Sequence, residues 1–78
     1  MILHVTSLER LDGYKVRLGF NNGETRVFDY EPHINDGIFV KLKNPVYFTR
    51  ANIEHGTVAW DGSFDFAPEF LYENGVPV

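Results

Sequence analysis

The sequence predicts a small α+β domain: a mostly antiparallel sheet of about five strands with two short helices on one face, in the order βββα-ββ(β)-α. Three observations carry this. Tyr14, Val16, Leu18 and Phe20 alternate with Lys15, Arg17 and Gly19, the pattern of a strand with one buried and one wet face, and Asn22-Gly23 then offers residues that tolerate a hairpin turn. A second apolar pair of segments, 51 to 54 and 57 to 60, flanks His55-Gly56. Finally, Asn44-Pro45 and Pro68 open two short apolar stretches at positions where proline suits the first helical turn.

Taken in order, Ile2 to Leu8 is the first strand, and its two faces are about equally apolar. Glu9 to Gly13 is a polar connection that closes on Asp12-Gly13. The main hairpin, Tyr14 to Tyr30, admits two registers. A two-residue turn pairs Phe20 with Thr25 and Leu18 with Val27, whereas a three-residue loop, Asn21-Asn22-Gly23, pairs Val16 with Phe28 and Tyr14 with Tyr30. Asn-Gly is the strongest signature of the two-residue turn, which is therefore the expected register.

Pro32 ends the strand, and Asn35 or Asp36 is placed to cap a helix through Lys43, with Ile38, Phe39 and Leu42 on one side and Lys41 opposite. Asn44 and Pro45 start the next turn, which Tyr47 and Phe48 anchor. A two-residue loop at His55-Gly56 pairs Ile53 with Val58 and Ala51 with Trp60, so Trp60 belongs to the core. Phe64 to Phe66 is a short strand; Pro68 opens a last helical turn anchored by Phe70 and Leu71. Gly75 stops it and the tail from Val76 is expected to fray.

The 78 residues fit one domain, 1–78. A chain of this size buries only roughly 60–65% of its unfolded surface. There is no cysteine to staple it, so stability must come from its twelve aromatic residues (seven Phe, four Tyr, one Trp). So many rings on one small domain also point to an interface, with a partner or in a homodimer. The lack of cysteine fits a reducing, cytoplasmic setting, and neither a signal peptide nor a membrane-spanning run is visible. The net charge of −4 disfavours direct nucleic-acid binding.

That charge is uneven. All seven Lys and Arg residues lie at or before Arg50, and Glu54, Asp61, Asp65, Glu69 and Glu73 follow without a base among them. An acidic surface of this kind suits a small basic protein partner. Asp29, Glu31 and His33 alternate and would share a face if extended, the second candidate site. His4, His33 and His55 lie on separate elements at no metal-ligand spacing, and no phosphate loop or Gly-x-Ser-x-Gly motif occurs, so no metal, cofactor or catalytic residue is assigned.

The motifs have a collective order. Phe20, Asn22 and Gly23 are followed by Asp29; then come Phe39 and Leu42, Asn44-Pro45 with Phe48, Gly56, Trp60 with Gly62, and Pro68 with Leu71-Tyr72. This order resembles the bacterial domain of unknown function family 2442 over about residues 3 to 72. Asn22 stands where aspartate is common in that family, and Asp61-Gly62 is shorter than its usual Trp-Pro-x-Gly turn. The resemblance implies a small α+β fold and no established activity. It also implies, for stand-alone members, a neighbouring small uncharacterised protein in an arrangement similar to toxin–antitoxin pairs. Some members are fused to a helix-turn-helix domain, a pattern not found here. Two expectations follow: an interaction or regulatory module, antitoxin-like in a two-gene pair, or a ligand-binding or enzymatic homodimer with its pocket near Asp29, Glu31 and His33.

Overall fold

A computed structural model describes residues 2–35, 37–60 and 66–78, except the side chain of Ile38. The fold is α+β. The first three strands, β1 (Val5–Arg10), β2 (Lys15–Phe20) and β3 (Thr25–Asp29), form an antiparallel meander. Two 3₁₀ segments, Glu31–His33 and Gly37–Lys43, lead to α1 (Pro45–Phe48). The hairpin of β4 (Asn52–Glu54) and β5 (Thr57–Ala59) follows, then α2 (Pro68–Asn74) and β6 (Val76–Pro77). The described residues thus form a four-stranded sheet in the order β1-β2-β3-β6 and a separate two-stranded one, where about five strands in one sheet were expected.

The hairpin takes the three-residue loop, not the expected two-residue turn. Val16 pairs with Phe28 and Gly19 with Thr25. The Phe20 carbonyl accepts from the Gly23 amide at 3.0 Å, and Gly23 sits at φ +88°, where glycine is favoured. The side chains explain the choice. Asn22 Oδ1 accepts from the Glu24 amide at 3.0 Å, closing a turn of its own. Asn21 is engaged elsewhere: its Oδ1 accepts from the His4 amide at 3.0 Å and its Nδ2 donates to the Ile2 carbonyl at 2.7 Å. Above all, this register puts Phe28 and Tyr30 on the same face as Val16, Leu18 and Phe20, and all five are buried.

β1 begins later than expected, at Val5, and continues through Glu9 and Arg10, which pair with Arg17 and Val16 and were expected as connection; its register shifts between Val5 and Ser7. One extra residue at the bulge turns both Val5 and Leu8 toward the core, which accounts for the two apolar faces in the sequence. The segment expected as a helix capped by Asn35 or Asp36 is a 3₁₀ run instead. Asn35 Nδ2 donates to the Glu31 carbonyl at 3.1 Å, so it closes the preceding turn, while Asp36 lies outside the described residues. Within that run Leu42 is buried, Phe39 half-buried and Lys41 exposed. Asn44 does cap α1, with Oδ1 accepting from the Val46 amide at 2.9 Å. The strand expected over 64 to 66 lies mostly outside the described residues.

The inner face of the sheet is covered by α1 through Phe48 and by α2 through Leu71, joined by Val58 and Trp60 of the second hairpin region. Tyr30 is the hub. Its ring lies 4.7 Å from that of Phe28, 5.6 Å from Phe48, 5.3 Å from Trp60 and 5.2 Å from Phe66, all edge-to-face. Trp60 Nε1 donates to the Phe48 carbonyl at 3.0 Å, so the indole is core. The His55-Gly56 turn pairs Ile53 with Val58 as expected, with His55 at φ +53°. Phe70 anchors α2 less than expected, being 36% exposed, and Leu71 does so fully.

The tail does not fray. β6 pairs with β3, Arg26 opposite Pro77 and Val27 opposite Val76. Gly75 makes this return possible: a Cβ there would lie 2.8 Å from the Leu71 carbonyl oxygen and 2.9 Å from the Arg26 Cβ. A polar cluster secures the same corner. The Arg26 guanidinium lies 3.8 Å over the Tyr72 ring and donates to the Tyr72 carbonyl at 2.8 Å and to Glu24 Oε1 at 2.8 Å. The Tyr72 hydroxyl donates to Glu24 Oε2 at 2.6 Å. That bond first, and Arg26 second, hold the Glu24 carboxyl below its ordinary range.

Gly75→Ala is expected to destabilise the protein by about 1–3 kcal/mol, the usual cost of forcing atoms into a filled space; urea titration of the variant checks it. Glu24 supplies a pH test. Its carboxylate is favoured in the folded state, so the stabilisation is complete above the unfolded value near 4.5 and fades as pH falls through the lower folded one. Thermal melts from pH 6 down to about 2.5 should show this loss, and Tyr72→Phe, lacking the main cause of the shift, should flatten it.

Candidate functional site

The three-residue loop sorts β2 and β3 into two sets. Val16, Leu18, Phe28 and Tyr30 turn inward; Lys15, Arg17, Val27 and Asp29 turn to the outer face, with Val76 beside Val27. At one end of that face lies a concavity of about 510 Å³, lined by Lys15, Val27, Asp29, Pro32, His33, Asn74 and Val76. Its volume is within the range of small-molecule sites, about 300–1,000 Å³.

Each wall has a local cause. Lys15 opens β2 and stands directly opposite Asp29, the last residue of β3. The Asp29 carboxylate accepts from the Glu31 amide at 3.0 Å, which bends the chain into the Glu31–His33 turn. That turn brings His33 back, half-buried, its ring stacked on Phe28 at 5.3 Å and edge-on to Phe70 at 5.3 Å. Asn74 ends α2, where its Nδ2 donates to the Phe70 carbonyl at 2.9 Å and its Oδ1 remains as an acceptor. The floor is apolar: Val27, Pro32 and the 66% exposed Val76.

Two of the three residues in the alternating Asp29-Glu31-His33 pattern therefore meet, while Glu31 is exposed and does not line the concavity. Lys15 and Asn74 are additions. Lys15 was hidden by the register: under the expected two-residue turn it would pair with Tyr30, not Asp29. Asn74 was readable only as a helix end.

The acidic candidates separate. Glu69 and Glu73 are exposed, one turn apart on α2, and Glu54 is half-buried on β4, opposite Thr57. Asp61 and Asp65 lie outside the described residues. Among the described residues, no group of three or more His, Asp or Glu side chains is arranged to hold a metal ion. No helix among them is long and apolar enough to cross a membrane.

Comparison with known proteins adds one finding. No curated protein and no solved structure matches the chain. A family model described as a protein of unknown function, DUF2442, matches residues 5–77, from the first residue of β1 to the last of β6. The chain belongs to the DUF2442 family.

Proposed function

We propose that this protein is a small-molecule-binding module and that its site is the concavity on the outer face of the sheet. The observation that supports this reading is the convergence there of Lys15, Asp29, His33 and Asn74 from β2, β3, the following 3₁₀ turn and α2, with Val27, Pro32 and Val76 as the apolar part of the lining. A few polar groups on an apolar lining is the usual make-up of such sites. No catalytic step is assigned to it. A fragment library screened against ¹⁵N-labelled protein should shift the amide signals of Lys15, Val27, Asp29, His33, Asn74 and Val76 together. An absence of any clustered shift at millimolar fragment would remove the proposal.

A second reading keeps the interaction module, antitoxin-like in a two-gene pair, with a small basic protein as partner. Its support is the exposed, same-sided placement of Glu69 and Glu73, neither in an ion pair among the described residues. Such a partner should be captured at low salt, released at high salt, and lost on Glu69→Lys with Glu73→Lys. Equal capture by the charge-reversed protein, its fold checked by circular dichroism, would rule this reading out.

A further inference from the structure

Two cross-strand charge pairs lie on the outer face, and they behave differently. Glu9 pairs with Arg17 in the β1–β2 register, and the two close into an ion pair at 2.6 Å. Lys15 and Asp29 are directly opposite in the β2–β3 register. Tyr30 donates its amide to the Tyr14 carbonyl at 2.9 Å, so the neighbouring Lys15–Asp29 rung is of the type without backbone bonds. On such rungs the side chains come closest, with Cα atoms about 4.5 Å apart. Yet Lys15 and Asp29 form no ion pair; those among the described residues are Arg17–Glu9 and Arg26–Glu24. Asp29 is turned aside to accept from the Glu31 amide, which leaves its second oxygen available, and Lys15 is exposed with three donors. The two opposite charges stand apart on the wall of one concavity.

We infer that the concavity takes a small zwitterion, a molecule with an ammonium and a carboxylate at its two ends of charge and an aliphatic body between or beside them, as in an amino acid or a dipeptide. This rests on the small-molecule reading above. The ligand carboxylate goes to the Lys15 ammonium. Its ammonium goes to the Asp29 carboxylate and the Asn74 Oδ1, and the aliphatic part lies on Val27, Pro32 and Val76. A ligand of single charge meets one attraction and one repulsion across the same short rung; a zwitterion meets two attractions.

The test titrates the ¹⁵N-labelled full chain at low salt with four probes: L-leucine, leucyl-leucine, N-acetyl-L-leucine and L-leucinamide. One of the two zwitterions is expected to bind at least about tenfold more tightly than either singly charged form, the scale of one charge-assisted hydrogen bond. Which of the two binds better distinguishes a free amino acid from a short peptide. Lys15→Met should weaken the zwitterion about tenfold while leaving leucinamide as it was or tighter. Asp29→Asn, which keeps an acceptor for the Glu31 amide, should do the same to the zwitterion and spare N-acetyl-leucine. Unchanged amide signals outside the concavity confirm that both variants are folded. Equal binding of zwitterions and singly charged probes overturns the inference. So does a fragment screen that marks the concavity while none of the four probes binds; there the small-molecule reading stands. A screen that marks nothing removes that reading itself, and the inference with it.

Discussion

The register of the β2–β3 hairpin is the constraint on which the rest of the structure depends. A single residue more or less in its loop decides which side of the sheet receives Phe28 and Tyr30. With the three-residue loop, both rings join Val16, Leu18 and Phe20, and Tyr30 becomes the centre around which Phe48, Trp60 and Phe66 pack. The same choice sends Lys15 and Asp29 to the opposite face as neighbours. Core and candidate site are thus two consequences of one turn. The hub carries a cost: the Tyr30 hydroxyl is buried with no hydrogen-bond partner among the described residues, and burial pushes that phenol well above its ordinary range.

The second dependency is the corner where α2 hands the chain to β6. Arg26 lies on the inner-facing set of β3, yet it is accommodated because Tyr72 covers its guanidinium and Glu24 meets it from the loop. This is how a cation can sit in a strand position otherwise reserved for apolar residues. The corner also determines where Asn74 and Val76 lie, and therefore the far wall of the concavity. A loop–helix contact on one side of the domain in this way shapes the concavity on the other.

Much of the architecture was legible in local chemistry. Alternation marked β2, Asn44-Pro45 marked α1, and His55-Gly56 marked the second hairpin with its pairing of Ile53 and Val58. The misreadings share a cause: each concerned a residue whose local preference was outweighed by a distant partner. Asn22-Gly23 looked like a complete two-residue turn with Asn21 in the strand, but Asn21 belongs to the loop and is bonded to the N-terminal segment at His4 and Ile2. The weight of two aromatic rings needing burial could have corrected the register, since a two-residue turn leaves Phe28 and Tyr30 on the wet side. The tail from Val76 looked free because nothing within it says that β3 has an open edge. The site was legible only in part: Asp29 and His33 are close in sequence, whereas Lys15 and Asn74 join them through sheet pairing and helix packing.

The place of Pro77 in β6 bears on how the molecule lives among copies of itself. Val78 donates its amide to the Thr25 carbonyl at 3.2 Å, which sets the phase of this last strand and turns the Pro77 position to its free side. There proline presents a ring where any other residue would offer a hydrogen-bond donor. Among the described residues the sheet therefore ends at β6 chemically as well as spatially, since an incoming strand finds an acceptor without its matching donor. At high concentration, that one imide nitrogen is a guard against the edge-to-edge growth to which small open sheets are prone.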